Sequence, residues 1–233
     1  LNKLNSEGYS SLALAVKLGN VELAKTLIRK GAFVNPKTPN PMAQPMEIAF
    51  DRSNPEMLEL LLKSGIKVDP DKVLLRAVSE SKTSLVKILL KNGAQPNIAD
   101  NQNQPLIWLA TVGGNIDIIK ILIENGAKLN VADEAKGATP LAIAVASKDK
   151  EAAELLLSNN ANPNITDHNR LSPLSYAVIT GQPEMVTLLI DAGANIEIKD
   201  KGGDNLIKVA EQSRILKSNK EKIIEILNQA GLK

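Results

Sequence analysis

Cysteine is absent from the 233-residue sequence, and histidine occurs once, as His168. Without cysteine the chain cannot form a disulfide framework, a thiolate zinc cluster or a thiol nucleophile, and one histidine excludes a multi-histidine metal site. No apolar run approaches the roughly 18 to 20 residues that cross a bilayer, and no basic-then-apolar targeting segment opens the sequence. The formal net charge of +2 gives little attraction to nucleic acid or anionic lipid. We therefore expect no cofactor, no nucleic-acid partner and no membrane insertion.

Aromatic residues are also scarce, at 2% of the chain. They are Tyr9, Phe33, Phe50, Trp108 and Tyr176. A single thick core normally uses several aromatic anchors, since each buries ~150–250 Å². Here Ala, Leu, Ile and Val must do the packing, which favours a stack of thin helical layers.

One short pattern recurs along the chain: a run of branched aliphatic residues, then Gly followed by a small or apolar residue. It occurs at Gly31, Gly65, Gly93, Gly126, Asn160, Gly193 and Gly231, with spacings of 34, 28, 33, 34, 33 and 38 residues. Asn160 is the informative exception, because Asn is the non-glycine residue that best tolerates the left-handed conformation that closes a helix. The pattern therefore predicts seven helix C-termini.

Two helices are predicted before each of these positions. The longer one is amphipathic, as in Ile116–Ile123 and in Pro183–Ile190, each with an acidic residue in its first turn. A shorter helix begins roughly twenty residues before the glycine, most clearly at Thr139-Pro140-Leu141 and Ser172-Pro173-Leu174. The hydroxyl residue caps such a helix, and Pro fits its first turn.

This repeated unit of about 33 residues resembles the ankyrin repeat, whose signature includes Thr-Pro-Leu-His-x-Ala. The resemblance implies an all-α repeat solenoid of about seven helix-turn-helix units, joined by β-hairpin fingers. By this resemblance, residues 1–233 are expected to form a single ankyrin-repeat domain. Its approximate units are 1–34, 35–68, 69–96, 97–129, 130–163, 164–196 and 197–233.

The chain departs from the family pattern in several places. The 28-residue spacing between Gly65 and Gly93 predicts a short turn over 66–72 in place of a finger, and Gly113-Gly114 suggests an extra residue. The last unit is longer between Ala210 and Glu221, which predicts an extended first helix or a loop. Because Leu1-Asn2 matches the interior of a unit, we expect further chain upstream.

Few residues are candidates for catalysis, modification or metal binding. His168 lies at a predicted fingertip, where the resemblance implies an exposed contact residue and not a general base. Asn164-Ile165-Thr166 fits a glycosylation acceptor, but the family favours Asn there for structural reasons. We predict no catalytic residue and no metal ligand.

A protein-binding surface remains. The resemblance implies a concave face formed by the first helices and the fingers, which is small and apolar from unit four to unit six. Trp108 and Tyr176 are expected at corresponding places two units apart, either as interface anchors or as rings packed between neighbouring units. The other residues predicted to contact the partner are the floor residues Thr111, Val112, Ala146, Ile179 and Thr180, and the rim residues Asn101, Gln102, Glu134, His168 and Leu171.

Four functional interpretations stay open. The first is a monomeric, non-catalytic module that binds another protein. The second is a substrate-targeting arm of an enzyme whose catalytic part lies upstream of residue 1. Self-assembly and DNA binding are the others. The excess of Lys over Arg and the many Asn and Ile residues are typical of AT-rich genomes. By analogy, this suggests a bacterial effector acting on a host protein, either cytoplasmic or secreted into a host cell.

Overall fold

The computed structural model describes residues 1–232, and within them the chain forms fourteen α-helices, one 3-10 helix and no β-strand. The 3-10 helix spans Pro41–Ala43. The α-helices are α1 Ser11–Lys17, α2 Val21–Arg29, α3 Pro45–Asp51, α4 Pro55–Lys63, α5 Pro70–Ser79, α6 Thr83–Lys91, α7 Leu106–Val112, α8 Ile116–Glu124, α9 Pro140–Ala146, α10 Lys150–Ser158, α11 Pro173–Ile179, α12 Pro183–Asp191, α13 Leu206–Gln212 and α14 Lys217–Gln229.

These helices group into two compact bodies, body one over Leu1–Gln95 and body two from Pro96 onward. The division falls one residue before the predicted boundary between units three and four. In both bodies each odd-numbered helix pairs with the even-numbered helix that follows it. In body two, α7, α9, α11 and α13 also pack side by side in this order, and we call them the first helices. In body one α1 packs on α3 in the same way.

The helix ends follow from local chemistry. Thr139 and Ser172 accept hydrogen bonds from the backbone N–H three residues on, and Pro140 and Pro173 occupy the first helical turn. All seven predicted C-terminal positions have positive φ, including Asn160 at 68°. The prediction from the Gly/Asn pattern is therefore confirmed.

Small aliphatic residues fill the core, as the scarcity of aromatics predicted. Leu and Ala dominate the buried residues of both bodies, and Phe50 is the one aromatic residue among the largest fully buried side chains. Helices of seven to ten residues are too short to persist alone in water, since isolated helices need about 12–15 residues. Packing against neighbouring pairs therefore stabilises them.

Asparagine side chains join successive repeats on the side of the connecting turns. Asn164 Oδ1 accepts a hydrogen bond from the Asn195 N–H at 2.7 Å, and its Nδ2 donates to the Gly193 carbonyl at 3.0 Å. The same pair of hydrogen bonds, to residues about 30 positions later in the chain, is made by Asn2, Asn35 and Asn97. We call these four side chains the asparagine ladder. Asn164 thus uses both its oxygen and its nitrogen structurally, as the family-based interpretation of its sequon expected.

The implied β-hairpins are not confirmed. The connecting segments are turns, and the bridges Ala99 to Pro105 and Lys199 to Asn205 are isolated pairs. In these turns a side-chain oxygen of Asn or Asp accepts hydrogen bonds from main-chain N–H groups of the same turn. Asp167 Oδ1, for example, accepts from the N–H groups of Asn169 and Leu171 at 2.8 Å. Self-contained turns of this kind need no strand partner.

Two details of the predicted connections need correction, and for a third the structure decides between the two predicted alternatives. The short turn ends earlier than expected, because α5 begins at Pro70 and includes Lys72. Gly113-Gly114 holds no extra residue: Gly113 caps α7, and Gly114 has the left-handed φ also found at Gly181 after α11. The extra length of the last unit is not an extended first helix, since α13 has seven residues. It forms a loop over 213–216 and lengthens α14 to thirteen residues.

We expect Asn164→Ala to lower the free energy of unfolding by about 1–3 kcal/mol, because two hydrogen bonds between repeats are lost. Asn164→Asp keeps the acceptor and should lose about half as much. Urea denaturation followed by circular dichroism measures both. Asn101→Ala, which changes an exposed residue at the tip of a turn, is the control. If Asn164→Ala lowers the free energy of unfolding by no more than this control does, the asparagine ladder does not stabilise the fold.

Candidate functional site

An uncharged apolar surface lies on the first helices of body two. The sequences of α7, α9 and α11 contain no charged residue. At the fourth and seventh positions of these helices, three residues apart and therefore on one helix face, are half-buried or exposed apolar side chains. We call these six residues the apolar strip: Leu109, Val112, Ile143, Ala146, Tyr176 and Ile179.

The strip contains four of the predicted contact residues and two that the sequence analysis missed. Val112 and Ile179 are its most open members, at 54% and 36% exposure. Leu109 and Ile143 were missed, although each precedes a predicted residue by three positions and the helical period could have identified them. Thr111 does not belong to the strip: it is 3% exposed, and its hydroxyl donates to the Ile107 carbonyl at 2.8 Å.

Thr180 lies at the edge of the strip, as the C-cap of α11. It is half-buried, and its hydroxyl donates to the Tyr176 carbonyl at 2.6 Å. The side chain therefore offers a partner its methyl group and one hydroxyl that is already hydrogen-bonded.

Trp108 and Tyr176 do not occupy corresponding places. Trp108 is the third residue of α7, whereas Tyr176 is the fourth residue of α11, so the two side chains leave their helices about 100° apart. Trp108 is half-buried, and its indole Nε1 is buried without a hydrogen-bond partner among the described residues. This favours the interpretation in which the Trp108 ring fills space inside the protein.

Tyr176 belongs to the strip but also has a structural bond. Its hydroxyl donates to Asp167 Oδ2 at 2.8 Å, and Asp167 is 6% exposed. Burial and this carboxylate raise the pKa of Tyr176 to about 12, because both disfavour the phenolate. The bond fixes the ring at the base of the connecting turn 167–171, so that Tyr176 presents a rigid edge to the surface.

The predicted rim residues occupy the tips of the connecting turns. Asn101, Gln102, Glu134 and His168 are exposed, and Leu171 is half-buried. Glu134 accepts a hydrogen bond from Asn103 Nδ2, which links two neighbouring tips. The rim is therefore polar and carries few charges.

His168 makes a contact between two connecting turns. Its main-chain N–H donates to the Lys136 carbonyl at 2.8 Å. Its imidazole covers Gly137, where a Cβ would lie 2.6 Å from the ring Cδ2. Because Gly137 also has a φ of 72°, only glycine fits there without strain.

Helices α3 and α5 of body one differ from the first helices of body two, because they carry charged side chains that pair with each other. The Arg76 guanidinium donates to Glu47 Oε2 at 2.6 Å and to Asp51 Oδ1 at 2.9 Å, and it lies 4.0 Å from the centre of the Phe50 ring. Its bond to Glu80 holds the pKa of that carboxyl below the usual range. Because these charged groups already pair with one another, few of their hydrogen-bonding atoms remain for a partner.

Other kinds of site are not found in the part of the chain that the structure describes. No group of three or more His, Cys, Asp or Glu side chains could hold a metal ion within residues 1–232. No helix in the same range is long and apolar enough to cross a membrane.

Replacing Gly137 by Ala should destabilise the chain by about 2 kcal/mol, since the added methyl group meets the His168 ring and the left-handed backbone disfavours Ala. In the His168→Ala background the loss should shrink by about 1 kcal/mol, because only the backbone strain remains. Thermal and urea unfolding of the four proteins of this cycle give the coupling. Equal losses in both backgrounds would refute the contact.

The raised pKa of Tyr176 predicts a loss of stability at alkaline pH. The folded pKa of about 12 exceeds the usual value near 10, so the stabilisation is complete below about pH 10 and disappears as pH rises through about 12. Tyr176→Phe should be less stable than the wild type at pH 8, and this difference should shrink between pH 10 and 12. Urea midpoints at each pH measure it, and a constant difference contradicts the assignment.

Family models agree with the helical architecture. A model described as ankyrin repeats (3 copies) matches residues 46–133, 74–167 and 132–200, and an ankyrin repeat model matches residues 7–39. These matches cover well over half of the chain.

Curated relatives match over their repeats. The chain is 34% identical over 150 residues to "Ankyrin repeat, SAM and basic leucine zipper domain-containing protein 1" of Ornithorhynchus anatinus, covering 62% of the chain and 31% of that protein. It is 30% identical over 138 residues to "Putative palmitoyltransferase ZDHHC13" of Danio rerio, covering 58% of the chain and 21% of that protein.

A third relative, "Phosphocholine transferase AnkX" of Legionella pneumophila, is 25% identical over 225 residues, which is 90% of the chain and 22% of that protein. The chain thus spans about a fifth to a third of the length of these relatives. Fourteen short helices in packed pairs, left-handed closing residues at the predicted positions and the matching family models together lead to one conclusion: the chain belongs to the ankyrin-repeat family.

Proposed function

We propose that the chain is a non-catalytic protein-interaction module that binds a partner protein through the apolar strip. The observation that carries this proposal is the row of half-buried or exposed apolar side chains on three adjacent first helices that contain no charged residue. Contiguous apolar surface of this kind is unusual on a protein that acts alone, and it is typical of the centre of an interface. The exposed tips around Asn101, Gln102, Glu134 and His168 would supply the polar rim.

The rigid supports of the strip favour recognition without rearrangement. Tyr176 is tied to Asp167 and Thr180 is tied to the Tyr176 carbonyl. Leu171 lies beside this pair, because its N–H donates to the same Asp167 side chain. A partner would meet a preformed surface, so that little affinity would be lost in ordering the module.

The family supports this function in general terms. Stacked repeats present extended surfaces that bind other proteins, and none of the residues in the strip or its rim forms a nucleophile with an adjacent base. We include in the proposal that the module acts as a monomer on a protein partner and not on nucleic acid.

A substrate-targeting arm of a longer enzyme is the second candidate. The observation that favours it is that the relatives named as transferases match this chain over only 21% and 22% of their own length. The repeats would then select the protein on which a separate catalytic part acts. The full open reading frame of the gene separates this candidate from a stand-alone module.

Relatives in Legionella pneumophila and Rickettsia bellii, the latter 54% identical over 39 residues, support a bacterial origin for the chain. We propose on this basis, and by analogy alone, a bacterial effector whose partner is a host protein. The proposal requires that partners are captured from a host lysate and not from a bacterial one.

Val112→Asp should abolish partner binding. A carboxylate at this most exposed position of the strip would be buried under the partner without a counter-charge, so that capture from host lysate should fall at least about tenfold. Its melting temperature should stay close to that of the wild type, because Val112 is 54% exposed. Quantitative mass spectrometry of captured proteins measures the first effect, and calorimetry measures the second.

Met42→Asp is the matched control, since Met42 is 55% exposed and lies in body one, outside the strip. It should bind as the wild type does. Equal capture by the wild type, Val112→Asp and Met42→Asp would show that the strip is not the interface.

A further inference from the structure

The apolar strip ends at a basic hollow. Thr180, which follows Ile179 of the strip, also lines a hollow of about 430 Å³ together with Lys148, Arg214 and Leu216. Lys148 comes two residues after Ala146, the strip residue on α9. Any segment that covers the strip and continues past the ends of α9 and α11 therefore reaches this hollow.

Two cations in the hollow lack counter-charges. Lys148 and Arg214 are both exposed, and within residues 1–232 neither forms an ion pair. No carboxylate lines the hollow. The adjacent Asp149 forms no ion pair with Lys148 among the described residues, and its Oδ1 accepts from the Ala152 N–H and caps α10.

The walls of the hollow are fixed. Ile215 packs against Gly181, where a Cβ would lie 2.9 Å from Ile215 Cγ2. Asn219 Nδ2 donates to the Gly181 carbonyl at 2.8 Å. These contacts hold the loop over 213–216, which carries Arg214 and the 73% exposed Leu216, against the turn after α11.

Lys148 is retained in a place where its backbone is strained. Its φ of 60° lies in the left-handed region, and the equivalent turns after α7 and α11 have Gly114 and Gly181 there. A lysine in this conformation is less favourable than a glycine. The equivalent turns after α3 and α5 have Ser53 and Ser81 there, also with left-handed φ, so the position accepts residues other than glycine. At this position after α9, Lys148 places a cation beside the strip.

We propose that the partner segment that covers the apolar strip carries an aspartate or glutamate beside its apolar residues, and that this carboxylate binds between Lys148 and Arg214. The inference rests on the proposed function, because it assigns the chemistry of the partner for the same surface. Two unpaired cations at the end of an uncharged strip complement a peptide with apolar residues followed by an acid. Leu216 adds an apolar contact on the far side of the hollow.

The test uses the full chain and a displayed library of random peptides of about twelve residues, long enough to cross the strip and enter the hollow at ~3.3 Å per residue. Peptides are selected on the wild type and kept if Val112→Asp abolishes their binding. The same selection is run on a charge variant, Lys148→Gly with Arg214→Gln. The control variant is Lys120→Gln with Lys150→Gln, which removes equal charge from the exposed side of α8 and α10.

We expect strip-dependent peptides from the wild type and the control to be enriched in Asp or Glu next to apolar residues, and peptides from the charge variant to lack this enrichment. Strip-dependent peptides without acidic enrichment, or with equal enrichment on the charge variant, would overturn the inference and leave the proposed function intact. If no selected peptide depends on Val112, the proposed function itself fails.

Affinities then confirm the pairing. Fluorescence anisotropy of labelled peptides measures binding. Changing the acid of a selected peptide to its amide should weaken binding to the wild type about tenfold and binding to the charge variant less than about twofold. Lys148→Gly alone should weaken binding while its melting temperature is unchanged or higher. A melting temperature that falls together with binding would mean that Lys148 is structural and would contradict the proposal.

Discussion

Every part of the structure depends on the fact that one helix pair is too thin to bury its own apolar residues. In body two, α9 packs between α7 and α11, and α11 packs between α9 and α13, so that these seven-residue helices gain their stability from neighbouring pairs. The asparagine ladder joins the connecting turns at the same spacing. Neighbouring repeats therefore fix most positions of each unit. Leu12, Leu74, Leu106 and Leu174 are fully buried or nearly so because two layers meet there.

This constraint also decides where function can be located. Apart from Trp108, the fourth and seventh positions are the ones that α7, α9 and α11 leave half-buried or exposed. Body one fills such positions with Lys17 and Asp51, and Arg76 gathers the acids around it. Body two fills them with Val112, Ala146 and Ile179. The same architecture thus gives a self-paired ionic surface in one body and an open apolar surface in the other.

The sequence predicted the helix pairs and their ends because these depend on local chemistry. Asn160 could be assigned a left-handed conformation from its residue type alone. The exact residue at which each helix begins was harder to predict. In the sequence Pro105-Leu106 matches Pro140-Leu141, yet α9 begins at its proline whereas α7 begins one residue later, at Leu106, with Pro105 as its N-cap. A shift of one residue turns a helix face by about 100°, which is why Trp108 was placed with Tyr176 and why Leu109 was missed.

Several features of body two are unfavourable for folding. Lys148 holds a left-handed backbone, Trp108 buries an indole N–H without a partner among the described residues, and Val112 and Leu216 expose large apolar groups. Each lies on or beside the first helices or the turn of α9. Body one has departures of its own, since Ser53 and Ser81 also have left-handed φ and Leu18 and Phe33 are exposed. Strain or exposure alone therefore does not locate a binding surface. What distinguishes body two is that α7, α9 and α11 contain no charged residue, whereas Arg76 pairs with Glu47 and Asp51 in body one. This difference is the physical reason for proposing recognition on the apolar strip and not on the self-paired surface of body one.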